Sequence, residues 1–202
     1  MMGITDIVAI ESLGHLLANY KSDLEYIALF DSFRKNEITA DIYLTERNSG
    51  FQGFINEFRV ARNIKKEKVK DLVCFIKKSM TCGNSWTVDK FAEEIKKEKF
   101  THEGKVMVVL VSKIFFLAQP ETIIPMDSLN KKALGLKGNK YEDFESKINN
   151  FIEKNRNILP KYLSPVCKYL EEIEKSINIK IDFEKYRMNR FTDKYLWAKG
   201  RK

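Results

Sequence analysis

Residues 111–134 read VSKIFFLAQPETIIPMDSLNKKAL. With the residues just before them they hold a run of Met107, Val108, Val109, Leu110, Val111, Ile114, Phe115, Phe116 and Leu117. A helix of that composition has almost no polar face, so it is buried on most sides and is expected to run through the centre of the molecule. Pro120 stops it, Pro125 pins an extended turn, and Asp127-Ser128 then opens another helix. A helix buried all round delivers its C-terminal turn to a fixed place, and here it delivers Asp127.

Outward from this stretch, helical spacing continues. Val69, Leu72, Val73, Ile76 and Met80 share one face, as do Tyr141, Phe144, Ile148, Phe151 and Ile152. Leu163, Val166, Cys167, Leu170, Ile173 and Ile177 form a third stripe, and Ile10, Leu13, Leu16, Leu17 and Tyr20 a fourth. Lysines and glutamates fill the remaining faces. The best strand candidate, Ile42 to Thr45, is short and lacks obvious partners. The fold class expected is all-α: one compact helical domain over 1–202. Two helical lobes flanking a cleft are expected within it, about 1–85 plus the C-terminal helix, and 86–180.

The chain has 202 residues, 44% hydrophobic and 32% charged, which fits a globular protein and excludes wholesale disorder. Lys+Arg 36 against Asp+Glu 28 gives a net charge of +8, a surplus that favours a polyanionic partner. Three cysteines at wide spacing, Cys74, Cys82 and Cys167, exclude a four-cysteine zinc site or iron–sulfur cluster, and only His15 and His102 are present. No metal site is expected. The apolar run is too short to span a bilayer and the Met-Met-Gly start lacks a secretory pattern, so a cytoplasmic protein away from membranes is expected.

The stretch Pro125-Met126-Asp127-Ser128, following a buried helix, resembles the helix-hairpin-helix DNA glycosylase superfamily (the HhH-GPD group), whose pattern is a variant of P-V-D-T/S-x-x-x-R; Lys131 or Lys132 stands near the basic residue of that pattern. The resemblance is close over about two dozen residues and implies an all-helical fold and excision of a base from DNA. It implies Asp127 as the catalytic carboxylate, no cofactor and a monomer. The family's glycine-rich hairpin has its counterpart in Phe100-Thr101-His102-Glu103-Gly104, which keeps only Gly104; Gly104 and Lys105 are the candidates for holding a DNA phosphate. The family's Schiff-base lysine falls among Met107, Val108 and Val109, none a nucleophile, so a monofunctional enzyme is expected, with Lys113 as the secondary candidate. Small bacterial relatives that remove hypermodified, including glucosylated, cytosines from phage DNA are the group the chain is compatible with. Oxidised- or alkylated-base repair and a non-enzymatic nucleic-acid- or protein-binding module are the alternatives.

Excision requires the base to be flipped into a pocket. The segment Arg47 to Arg62, RNSGFQGFINEFRVAR, supplies Phe51, Phe54 and Phe58 as an aromatic surface or as a core stripe. Phe51, Gln52, Asn56 and Trp86 are the substrate-binding candidates, with Asp31, Asp41 and Glu46 as acidic alternatives. Backbone contacts are expected from Lys131, Lys132 and the C-terminal stretch after Phe183. There Arg187 and Arg190 lead seven cations set against Glu184 and Asp193, interleaved with Tyr186, Phe191, Tyr195 and Trp197. Those aromatics suit an inward-packed face.

Overall fold

In a computed structural model, residues 4–47, 49–81, 85–102 and 106–202 are described. They form α1 (Asp6–Arg34), α2 (Ala40–Thr45), α3 (Phe51–Glu57), α4 (Val69–Thr81), α5 (Val88–Lys97), α6 (Val108–Ala118), α7 (Ser128–Ala133), α8 (Tyr141–Asn155), α9 (Leu159–Leu163), α10 (Cys167–Lys175) and α11 (Phe183–Arg201). The only β pairing among them is an isolated bridge between Ile64 and Thr101. The all-α class is therefore observed.

The apolar run from 107 to 117 forms α6, whose Leu110, Val111, Ile114 and Phe116 are fully buried. Each such side chain contributes roughly 1.5–3 kcal/mol of burial, and α6 is thereby fixed against α1 and α5. The 29-residue α1 lies along α11, and α11 in turn packs on α7. α1 buries Leu16, Tyr20, Leu24 and Ile27, while Ile10 at the edge of the expected stripe is 67% exposed. Tyr20 donates its hydroxyl to Glu174 of α10, and Arg187 of α11 donates Nε to the same carboxylate at 2.7 Å. One buried acid thus ties three helices together.

Two expectations of local structure are corrected. Residues 42–45, with their β-branched and aromatic side chains, belong to α2 rather than a strand: the Thr39 hydroxyl accepts the Ile42 N–H at 3.3 Å and caps the helix. The stripe from Leu163 to Ile177 is not one helix. α9 gives way at Ser164–Val166 to a single tighter turn containing Pro165, and α10 restarts at Cys167. The start of α8 is capped from outside its own segment, since the Asp89 carboxylate of α5 accepts the N–H groups of Tyr141 at 2.8 Å and Glu142 at 3.1 Å.

Candidate active site

The turn between α6 and α7 is held by side chains from four helices. Ser112 of α6 donates its hydroxyl to the Val109 carbonyl at 2.9 Å and accepts the Met126 N–H at 3.0 Å. Tyr141 of α8 donates to the Ile124 carbonyl at 3.0 Å, and Asn189 of α11 to the Glu121 carbonyl at 2.9 Å. Asn130 of α7 donates to the Pro125 carbonyl at 3.2 Å. Met126 is fully buried, so the residue after it has little freedom.

That residue is Asp127, half-buried, with an extended backbone as the cap of α7. Its Oδ1 accepts the Asn130 N–H at 2.7 Å. Burial, and then the neighbouring Asp193 carboxylate, push the Asp127 carboxyl above its ordinary value; the Asn130 N–H and the Lys113 ammonium oppose that shift. Asp193 is joined to α7 by the Asn130 amide at 2.7 Å and accepts from Arg190 Nη1 at 2.6 Å. Arg190 also donates Nε to Asp23 of α1 at 3.0 Å and covers the Phe116 ring at 4.8 Å. A continuous polar chain runs from Asp127 through Asn130, Asp193 and Arg190 to Asp23.

Lys113 meets this cluster from α6. It is 8% exposed and donates Nζ to the Phe58 carbonyl at the end of α3, at 2.7 Å. Burial pulls its pKa below the ordinary lysine value, while Asp127 and then Asp193 draw it up. Lys194 of α11 lies in the same field, and burial followed by Arg190 lowers it too. Carboxyl and amine pKa values displaced toward each other at one helix junction are the arrangement expected where proton or charge chemistry is done. Asp127 and Lys113 lie close enough for each to influence the charge of the other.

The other sequence candidates divide. Phe51 is 1% exposed and packs its ring on Tyr43 and Phe54, so it belongs to the core and offers no stacking surface. Gln52 and Asn56 are exposed on α3, and Gln52 lines an open cleft of about 570 Å³ whose walls include neither Asp127 nor Lys113. A second cleft, of about 540 Å³ between α1 and the segment 176–180, is likewise separate from them. Trp86 is half-buried edge-on against Phe91, with its indole N–H buried and unpartnered among the described residues. Lys132 is exposed, whereas Lys131 donates to the Gly138 carbonyl at 3.3 Å and to the Asn139 side chain. Gly104 and Lys105 lie outside the described residues.

Arg187 and Arg190 are corrections to the expected DNA contacts. Arg190 is 1% exposed between two carboxylates, and Arg187 is ion-paired with Glu171 and Glu174. Both guanidinium groups are engaged by carboxylates of the fold, Arg190 on the face that α11 turns toward α1 and α7 and Arg187 half-buried against α10. The cluster's unforeseen members, Asp23, Asn130, Asp193 and Lys194, carry one signal in sequence: Arg190 and Asp193 sit at helical spacing on the stripe begun by Tyr186. Comparison with family models, curated proteins and solved structures yields no match to this chain.

Proposed function

We propose that this protein is a monofunctional DNA glycosylase that hydrolyses the bond between a modified base and deoxyribose, leaving an abasic site. The observation that carries the reading is Asp127: a half-buried carboxyl with a raised pKa, presented by a clamped Pro125 turn within electrostatic reach of the buried Lys113 amine. As the C1′–N bond breaks, positive charge builds on the sugar, and an ionised Asp127 stabilises it. Water adds at C1′ and gives up a proton, for which the Asp127 carboxylate is the acceptor, and the base departs with the bonding electron pair. Lys113 acts here as a fixed charge. Its amine is already donated to the Phe58 carbonyl, and it favours the ionised form of Asp127.

A hypermodified cytosine of phage DNA, including glucosylated hydroxymethylcytosine, heads the substrate panel, with an antiphage role following from it. Oxidised and alkylated bases are the alternatives. Free base is measured by mass spectrometry with wild type and Asp127→Asn, and borohydride trapping tests whether Lys113 forms a covalent imine. Release by wild type alone, without trapping, is the expected result.

One observation favours a second reading, a non-enzymatic helical binding module: neither described cleft is lined by Asp127. Salt-sensitive DNA binding with no base release across the panel would select it.

A further inference from the structure

The cleft that contains Gln52 is built between the end of α2, the start of α3 and the turn leading into α4. Leu44 and Val69 give it an apolar lining, Gln52 contributes an exposed carboxamide, and Arg47, Lys66 and Lys70 supply cations. Lys70 is held by Asp41 at 2.6 Å. Arg47 and Lys66 are exposed and form no ion pair among the described residues, and Glu46 is the acid in the lining. The 3-10 turn Lys66–Lys68 runs directly into the 13-residue α4, which supplies Val69 and Lys70 to the lining.

This combination specifies a ligand class. A volume of about 570 Å³ lies in the range of small-molecule sites. Two unpaired cations call for an anionic group, and the guanidinium of Arg47 suits the geometry of a phosphate. The apolar lining suits a flat ring face, and a carboxamide both donates and accepts, as reading a base edge requires. We propose that this cleft binds a nucleoside phosphate, with Arg47 and Lys66 on the phosphate, Leu44 and Val69 against the base and Gln52 at its edge. The site is separate from Asp127 and stands or falls independently of the glycosylase reading.

Calorimetric titration of the full chain with dAMP and dCMP, the matching nucleosides, inorganic phosphate and a short single strand of the same bases tests the proposal. The mononucleotides are expected to bind, and removing the phosphate or making Arg47→Glu/Lys66→Glu weakens binding about ten- to a hundredfold. Gln52→Leu reduces the difference between the two bases. Tighter binding of the strand identifies nucleic acid as the source of the nucleotide, and equal or weaker binding identifies the free nucleotide. Unchanged affinity in the charge-reversal variant, absence of binding by wild type, or inorganic phosphate binding as tightly as the mononucleotides would overturn the assignment. Both reversed positions are exposed, so the variant is expected to fold.

Discussion

Replacing Arg190 with methionine keeps most of the side-chain volume but removes a guanidinium that holds two buried acids. Asp23 and Asp193, 1% and 7% exposed, would then lose the guanidinium that pairs with both. Removing one partner of a buried ion pair costs about 3–5 kcal/mol, because the remaining charge stays desolvated. For a chain of this length that corresponds to a fall in melting temperature of about 6–20 °C. Urea denaturation at fixed salt reads the change as a lower midpoint with an unchanged slope. Adding Asp23→Asn to Arg190→Met should cost less than the sum of the single changes, since the pair is coupled. A loss below about 1 kcal/mol, together with a shallower salt dependence of DNA binding, would refute the internal role and restore Arg190 as a phosphate contact.

Asp127→Asn keeps a competent cap and removes a carboxyl whose native pKa is raised; that carboxyl's contribution is most favourable below the unfolded pKa and is lost as pH rises through the native one. The variant should therefore match or exceed wild type in urea midpoint at pH 7, with the advantage gone near pH 4; a large loss at pH 7 would make Asp127 a purely structural cap. Gly200→Ala places a methyl group against the Leu129 carbonyl where α11 meets α7, and should cost about 1–3 kcal/mol in thermal unfolding, an unchanged midpoint contradicting that close approach. Asp89→Ala deprives Tyr141 and Glu142 of their N–H acceptor and should cost about 1–2 kcal/mol, with faster amide exchange at those two residues; unaltered exchange would contradict the cross-helix cap.

The parts of the fold legible in sequence are those fixed by local periodicity. α4, α6 and α8 each carry enough apolar residues at helical spacing for the pattern to survive any packing partner. α2 was hidden because Ile42, Tyr43 and Thr45 favour strands, and a single capping hydroxyl from Thr39 decides a six-residue helix. The break at Ser164–Val166 was visible only as Pro165, since the stripe of apolar residues continues across it. At the site, Asp127 was marked by Pro125 before it and Ser128 after it. Its partners were not marked: the Asn130–Asp193 bond spans 63 positions and the Arg190–Asp23 pair 167. Charges counted in bulk along α11 read as a nucleic-acid surface. Arg190 and Asp193, on the Tyr186 face, turn inward instead, while Lys185, Arg201 and Lys202 stay exposed.

The central claim is that the carboxyl presented at Asp127 breaks a glycosidic bond. DNA carrying ordinary, oxidised, alkylated and glucosylated hydroxymethylcytosine bases, incubated with wild type and with Asp127→Asn at equal stability, tests it by mass spectrometry of free base and an abasic-site probe on the strand. The account predicts free base and abasic sites from one modified substrate with wild type, and neither with Asp127→Asn. Base release of equal rate by the variant, or none by wild type from any substrate while DNA binding persists, would contradict it.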